Sequence, residues 1–308
     1  MSRAEIPPSG EQFELVHGEQ RATVVEVGGG LREYSVGGRE VLEPYPRMAI
    51  CDGAHGTPLI PWPNRLGGGR YSFEGVERQL ALTEPARRNA IHGLMRWRPW
   101  RALLREPSRV VMAARLHPRP GYPFMLDLEI AYELDEAGMS VTTTALNVGA
   151  GACPYGAGQH PYLSPGEGRR IDECTLTLGA DTRITVDDAS GLPCGREPVA
   201  GTELDFAAPR SLDGARLDLA LTDLHRGDSG VALARLAAPD GSIAELWADE
   251  HHPVIQLYTG DTLSAARRRR GIAVEPMTCP PNAFQSGEGL IRLEPGESVS
   301  TRWGARLS

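Results

Sequence analysis

The chain has no lysine, and all 32 of its basic residues are arginines. A Schiff-base lysine, a pyridoxal-phosphate aldimine and a phosphate-loop lysine are therefore impossible, which excludes lysine-dependent aldolases. Acidic residues number 40, and the formal net charge of −8 argues against a nucleic-acid partner, since phosphate backbones need a basic surface. The run Arg267–Arg270 lies between two predicted strands and is expected to be a solvated loop.

Cysteine is also scarce, with five residues and no Cys-x-x-Cys pair. An odd number of cysteines at these spacings predicts reduced thiols, without a disulfide framework or a metal site. The triple glycines at 28–30 and 67–69 lack the Gly-x-Gly-x-x-Gly spacing of dinucleotide sites. We therefore expect neither a metal nor a cofactor.

Long apolar runs are missing as well. No run approaches the 18 residues that a membrane span needs, and residues 1–14 are polar, without the apolar core of a signal peptide. The sequence thus predicts a cytoplasmic protein with no membrane partner. We expect a monomer or a weak dimer.

Amphipathic helices are scarce, whereas turn residues are frequent, with 36 glycines and 25 prolines. Many short β-rich segments lie between the turns, and in Met125–Leu134 apolar and charged residues alternate. This pattern predicts an all-β sandwich or barrel. No low-complexity linker or repeat divides the chain, so we expect one domain over residues 1–308, with residues 1–20 peripheral.

Two titratable residues are each followed by a proline: His160 in His160-Pro161-Tyr162 and Glu275 in Glu275-Pro276. A proline restricts the backbone of the residue before it, which helps to fix the side chain in place. An imidazole can serve as an acid near neutral pH, and a carboxylate can serve as a base. The two residues therefore predict proton transfer, provided that the fold brings them together.

Two further stretches suit a polar, uncharged ligand. The prolines of Pro61–Arg65 hold Arg65 on a stiff arm, and its guanidinium offers five hydrogen-bond donors. The stretch Asn89–Gly93 contains His92 and leads to Trp97, and aromatic rings beside hydrogen-bonding groups suit a sugar. The alternatives are a surface ion pair for Arg65 and a histidine satisfied by the backbone.

In this order, the segments resemble the aldose 1-epimerase (galactose mutarotase) family, with features of its bacterial subgroup. The matching motifs are Pro-x-Pro-Asn-Arg at 61–65, Gly-x-Tyr-x-Phe-x-Gly at 69–75, Asn-x-x-His-Gly at 89–93, His-Pro-Tyr at 160–162, Val-Glu-Pro-Met-Thr-x-Pro-Pro-Asn-Ala at 274–283 and Leu-x-Pro-Gly-Glu at 293–297. The match runs from about residue 22 to the C-terminus. One departure is Leu163-Ser164, where the family often has Phe-Asn.

The resemblance implies a galactose-mutarotase-like β-supersandwich with few short helices. It also implies interconversion of the α and β anomers of a free hexose by ring opening and reclosure, with no cofactor. His160 would be the general acid and Glu275 the general base. The implied sugar-binding residues are Asn64, Arg65, His92, Trp97, Tyr162 and Asp223, of which Asp223 is aligned most loosely.

Two alternatives stay open. Arg87, Arg88, Arg96 and Arg98 could converge on the anion of a phosphorylated or sulfonated hexose, if they line the cleft. The protein could instead be a non-catalytic sugar-binding protein on the same fold. The presence of an acid–base pair argues against this second alternative, because binding alone does not need one.

Overall fold

The computed structural model describes residues 5–308, and strands dominate them. The strands in the first half are β1 (Gln12–His17), β2 (Gln20–Val25), β3 (Leu31–Val36), β4 (Arg39–Leu42), β5 (Arg65–Gly67), β6 (Arg70–Phe73), β7 (Val76–Gln79), β8 (Asn89–Ile91), β9 (Arg101–Glu106), β10 (Arg109–Leu116), β11 (Leu126–Asp135), β12 (Gly138–Asn147) and β13 (Cys153–Tyr155). Those in the second half are β14 (Tyr162–Leu163), β15 (Thr175–Leu178), β16 (Ala180–Val186), β17 (Pro193–Pro198), β18 (Arg210–Ser211), β19 (Asp218–Leu224), β20 (Ala232–Ala237), β21 (Ile243–Ala248), β22 (Val254–Tyr258), β23 (Ile272–Met277), β24 (Ile291–Leu293) and β25 (Ser298–Leu307).

Two large sheets contain most of these strands. The ten-stranded sheet has the order β1-β2-β3-β4-β14-β23-β22-β19-β16-β17, and the nine-stranded sheet has the order β18-β15-β20-β21-β25-β12-β11-β10-β9. Apolar side chains from both sheets form one buried cluster. The helices in residues 5–308 are α1 (Ala283–Ser286) and two single 3₁₀ turns at Pro85–Arg87 and Ile171–Glu173. The predicted all-β supersandwich with few short helices is confirmed.

The alternation predicted for Met125–Leu134 is confirmed in β11. Leu126, Leu128 and Ile130 are buried, and Glu129 is exposed on the opposite face. Side chains alternate across a strand, so the sequence pattern fixes which face of β11 joins the core. Pairing with β12 continues over all ten residues of β11.

Part of the segment that we expect to be peripheral, residues 1–20, forms the edge strand β1. This strand pairs with β2 along its whole length, and Phe13 and Leu15 belong to the core cluster. It is an edge strand whose inner face is nevertheless buried. Residues 1–4 lie outside the described part of the chain.

No helix in residues 5–308 is long and apolar enough to cross a membrane. The middle of the ten-stranded sheet, where β14, β23, β22 and β19 are neighbours, supplies much of the candidate site.

Candidate active site

A cavity of about 220 Å³ lies over the middle strands of the ten-stranded sheet. Strands β19, β22 and β23 each contribute a side chain, and the segments around β5 and β8 contribute others. The lining residues are Gly53, Ala54, Asn64, Arg65, Ile91, His92, Arg96, His160, Asp218, Tyr258, Thr262, Leu263 and Glu275. The cavity therefore contains both predicted proton-transfer residues and three of the predicted sugar-binding residues.

His160 and Glu275 meet because of the antiparallel register between their segments. Tyr162 pairs with Ala273, and the N–H of Val274 donates to the carbonyl of Pro161, which places His160 across from Glu275. Their Nε2 and Oε1 atoms lie 3.2 Å apart, and both side chains are buried. Residues 115 positions apart thus form one acid–base pair.

Burial controls the protonation of this pair. It lowers the pKa of His160 well below the usual histidine range and raises the pKa of Glu275 well above the usual glutamate range. Both shifts favour the uncharged form of the group concerned, which is a neutral imidazole at His160 and a protonated carboxyl group at Glu275.

His92 is held in the cavity by an unusual backbone turn. Its φ is +61°, and its N–H donates to the carbonyl of Asn64, whose φ is +53°. Gly93 follows with φ +71°, and a Cβ at this position would lie 2.0 Å from the carbonyl oxygen of Ile60. The close approach of two chain segments and the positive φ therefore require the glycine that follows His92.

The ring of His92 approaches that of His160 edge-on, with centroids 5.4 Å apart. Burial is the main reason why the pKa of His92 is lowered well below its usual range, so this imidazole is neutral. Nδ1 of His92, Nδ1 of His160 and Oε2 of Glu275 are buried and have no hydrogen-bond partner among the described residues. Buried polar atoms usually have partners, so these three atoms are candidates for contacts with a ligand.

Arg65 begins β5 and lies across from Ile91 of β8. Its Nε lies 3.0 Å from Oε2 of Glu84, and its Nη2 lies 3.7 Å from Oδ2 of Asp218. Glu84 thus orients the guanidinium at the cavity wall. The surface ion pair considered for Arg65 exists, but it occurs at the edge of the cavity.

The assignment of a sugar-binding role to Asp223 requires correction. Asp223 is exposed and does not line the cavity, whereas Asp218 of the same strand does. Asp218 pairs with Tyr258 in the register of β19 with β22, and Asp223 lies beyond the last pair. Two residues five positions apart in a strand lie about 16 Å apart, and their side chains point to opposite faces. Asp218 also accepts a hydrogen bond of 2.7 Å from Gln256.

We expect the substitution D218N to weaken the binding of a hydroxyl-bearing ligand to the cavity by about tenfold, since a neutral amide is a weaker acceptor for hydroxyls than a carboxylate. The matched control is D223N in the same strand, which should leave the affinity unchanged. Calorimetric titration of both variants with a hexose would measure the difference. Equal effects of the two substitutions would contradict the placement of Asp218 in the site.

Tyr162 and Trp97 are placed differently from the other predicted contacts. Tyr162 is buried behind the cavity wall, where its ring stacks on His160 with centroids 5.0 Å apart. Trp97 is 57% exposed and lines a neighbouring groove together with Arg98. Neither residue lines the cavity, so Tyr162 supports the site from behind and Trp97 lies outside it.

Of the four arginines considered for anion binding, Arg96 alone lines the cavity. Its guanidinium lies 5.5 Å from the centre of the Trp97 ring, and its Nε has no hydrogen-bond partner among residues 5–308. Arg87, Arg88 and Arg98 are not lining residues. The four arginines therefore do not converge on this cavity, and Arg96 is the one of them that lines it.

The prediction of a solvated loop at Arg267–Arg270 is wrong for two of its members. Arg269 is 8% exposed and donates to Asp172 and to the backbone carbonyls of Leu212 and Ala215. Arg267 lies 3.3 Å from a buried carboxylate, that of Glu43. The same loop brings Thr262 and Leu263 to the cavity, which sequence reasoning missed together with Tyr258.

A metal site is not formed by the described side chains: residues 5–308 contain no group of three or more histidine, cysteine, aspartate or glutamate side chains that could hold an ion.

Comparison with known proteins gives consistent results. The family model described as "Aldose 1-epimerase" matches residues 11–304. The "Uncharacterized protein YihR" of Escherichia coli (strain K12) is 35% identical over 296 residues, which cover 94% of this chain and 91% of that protein.

Two solved structures share the fold. One is the GalM/aldose epimerase homologue from C. elegans, with a TM-score of 0.85 and 17% identity, over 97% of this chain and 98% of the other. The second is galactose 1-epimerase from Lactobacillus acidophilus NCFM, with a TM-score of 0.80 and 20% identity, over 99% and 97% of the two chains. At these identities the structures establish the architecture, and the family model and the relative establish descent. The chain belongs to the aldose 1-epimerase family.

Proposed function

We propose that the protein is an aldose 1-epimerase that interconverts the α and β anomers of a free hexose. The observation that supports this proposal most strongly is the pairing of His160 with Glu275 at 3.2 Å inside a cavity whose lining includes several charged and polar side chains. A base at the anomeric hydroxyl O1 and an acid at the ring oxygen O5, both of which are bonded to C1, can together open the ring.

In the opening step, Glu275 removes the proton from O1 while His160 donates a proton to the ring oxygen O5. The C1–O5 bond breaks with its electron pair going to O5, and the O1–H electron pair forms the C1=O1 double bond. Rotation about C1–C2 exposes the other face of the aldehyde. The ring then closes as Glu275 returns its proton to O1 and His160 removes the proton from O5.

The opening step starts from ionised Glu275 and protonated His160, whereas burial favours the neutral forms of both groups. After ring opening, Glu275 is protonated and His160 is neutral, which is the arrangement that the raised pKa of Glu275 and the lowered pKa of His160 favour. The cavity is therefore suited to stabilise the open-chain state relative to the charged pair that precedes it. Neutral His92 and the guanidinium of Arg65 would hold sugar hydroxyls.

A bell-shaped dependence of kcat/KM on pH is expected, because activity needs one proton on the pair. On the acid side, a second proton binds His160, and its lowered pKa puts this limb below the pH at which a free histidine titrates. On the alkaline side, the proton leaves Glu275, and its raised pKa puts this limb above the pH at which a free glutamate titrates. Exchange spectroscopy at low buffer concentration, corrected for spontaneous mutarotation, would measure both limbs; a flat profile would contradict the mechanism.

A phosphorylated or sulfonated hexose is a second candidate substrate, favoured by Arg96. This arginine lines the cavity, and its buried Nε has no hydrogen-bond partner among the described residues. A guanidinium without a carboxylate partner is suited to an anionic substituent.

We expect R96Q to lower kcat/KM by about 10- to 100-fold for an anionic hexose and by less than about threefold for a neutral one, because a charged hydrogen bond would be lost only with the anion. The control is R98Q, an exposed arginine outside the cavity, which should affect neither. Hexose 6-phosphate, hexose 6-sulfonate and unmodified hexose would be compared. Equal losses for charged and neutral sugars would remove Arg96 as a determinant of anion preference.

A further inference from the structure

A second concave surface, with a volume of about 480 Å³, lies beside the cavity of the candidate active site. We call it the tryptophan groove, and its lining includes Trp62, Ile91, Arg96, Trp97, Arg98 and Arg119. Ile91 and Arg96 also line the cavity, so the two spaces have a common border. The groove is larger than the cavity of about 220 Å³, so it has room for a second group of the size that the cavity holds. The proposed exchange of anomers leaves the groove without a role.

The border between the cavity and the groove is one anchored segment of chain. His92 lines the cavity, whereas Gly93 and Leu94, which follow it, line the groove. The N–H of Leu94 donates to the carbonyl of Ile60 at 2.7 Å, so the segment is tied to a buried residue. A ligand in the groove would therefore lie at a fixed position relative to a ligand in the cavity.

Trp97 is the most accessible aromatic ring of the groove. Among residues 5–308 it is the one aromatic side chain that is mostly exposed, at 57%. The chain on both sides of it is fixed, because Met95 is buried and the carbonyl of Arg98 accepts a hydrogen bond of 2.8 Å from the N–H of Gly28. An apolar ring in water is unfavourable, and aromatic rings suit the C–H face of a sugar. An exposed indole on a fixed backbone is therefore suited to a sugar ligand.

The polar groups of the groove suit the hydroxyls of a sugar. Nε1 of Trp62 and Nε of Arg96 are buried donors that have no hydrogen-bond partner in the described part of the chain. Buried polar atoms usually have partners, so these two donors are candidates for contacts with a ligand. Arg98 and Arg119 are exposed and add further donors, and no aspartate or glutamate lines the groove within residues 5–308.

We propose that the tryptophan groove is a second sugar subsite, which binds the next ring of a disaccharide while the reducing-end ring occupies the cavity. Trp97 stacks on this second ring, and the donors of Trp62, Arg96 and Arg98 bind its hydroxyls. The class of substrate is then a disaccharide with a free anomeric carbon. The inference rests on the proposed function for the ring that reacts, whereas binding in the groove can be measured without catalysis.

Arg96 connects the two subsites. Its side chain lines both spaces, and its guanidinium carbon lies 5.5 Å from the centre of the Trp97 ring. A contact between a cation and an aromatic ring is favourable, and it helps to fix the indole relative to the cavity. Because the two subsites are fixed relative to each other, the groove should prefer some glycosidic linkages over others.

The first test measures anomer exchange for glucose and for maltose, cellobiose, isomaltose and gentiobiose. W97A should lower kcat/KM about five- to tenfold for the preferred disaccharide, chiefly through KM, and less than about twofold for glucose. W97F should restore most of the loss, because the phenyl ring keeps a face for stacking. Equal losses for glucose and the disaccharides, or no loss for any disaccharide, would overturn the proposal.

Trp247 supplies the matched control. It lies in β21, lines neither the cavity nor the groove, and has the guanidinium carbon of Arg302 at 5.7 Å from the centre of its ring. W247A thus removes an indole with the same kind of arginine contact, and it should leave the preference for disaccharides over glucose unchanged. If W247A and W97A reduce this preference equally, the effect is a general one on the fold and the subsite is excluded.

The second test measures binding and does not depend on catalysis. The chain has five tryptophans, so five indole N–H signals are expected in the ¹H–¹⁵N spectrum, and W97F identifies that of Trp97. Titration with the preferred disaccharide should shift the signals of Trp97 and Trp62, whereas glucose should leave that of Trp97 in place. Equal shifts with both ligands, or an unchanged Trp97 signal with every disaccharide, would contradict the proposal.

Failure of this inference can be distinguished from failure of the proposed function. If a disaccharide binds more tightly than glucose and W97A removes the difference, while no sugar exchanges anomers faster than the spontaneous rate, the proposed function fails and the subsite stands. If exchange of a monosaccharide is accelerated but no disaccharide binds more tightly than the monosaccharide, the subsite fails and the proposed function stands. Calorimetric titration of the wild type and W97A would give the affinities.

Discussion

Replacing Glu275 with glutamine is expected to lower kcat/KM for anomer exchange by about 10³-fold, within the range of 10²–10⁴ typical of a positioned acid or base. The amide has nearly the shape of the carboxyl group but cannot accept the proton from O1. Glu275 is buried in the middle of β23, so a substitution of similar shape should preserve the packing. Exchange spectroscopy would give the rate, and circular dichroism would confirm the fold. The matched control is E129Q on the exposed face of β11, which should retain full activity.

The two residues should behave as one unit in this experiment. H160Q is expected to cause a loss similar to that of E275Q, and the double variant should be only slightly slower than either single one, because either loss already prevents the coupled transfer. Losses that multiply in the double variant would show that His160 and Glu275 act independently. Activity near the wild-type level in either single variant would remove that residue from the mechanism.

Replacing Gly93 with alanine should have a large effect on stability. The new Cβ would lie 2.0 Å from the carbonyl oxygen of Ile60, at a φ of +71°. We expect the free energy of unfolding to fall by about 3–4 kcal/mol, from backbone strain and displacement of a packed segment. Because His92 precedes this glycine, KM for sugar should rise as well.

Gly75 is a matched control for this substitution. Its φ is +73°, almost that of Gly93, but a Cβ would meet no atom within 4 Å. G75A should therefore cost only the strain of a left-handed alanine, about 1–2 kcal/mol. Urea unfolding of both variants would separate the free-energy cost of the left-handed backbone from the cost of steric overlap with Ile60. Equal destabilisation would show that the approach of Ile60 to Gly93 is not important.

The features that sequence predicted well depend on local patterns. Alternation predicted the buried face of β11. His160 and Glu275 were identified by motif, and the structure places them side by side through the register of β14 with β23. Their roles in catalysis stay predictions.

The features that sequence missed depend on long-range register and on context. Both Asp218 and Asp223 lie in β19, and only the pairing of Asp218 with Tyr258 brings one of them to the cavity.

The central claim is that this cavity catalyses anomer exchange, and two-dimensional NMR exchange spectroscopy on the wild-type protein tests it most directly. Cross peaks between the α and β H1 signals would be recorded for glucose, galactose, a hexose 6-phosphate and a hexose 6-sulfonate. The account predicts exchange faster than the spontaneous rate for at least one of these sugars, and loss of the acceleration in E275Q. Acceleration that persists in E275Q, or tight binding of a sugar without any acceleration, would contradict it.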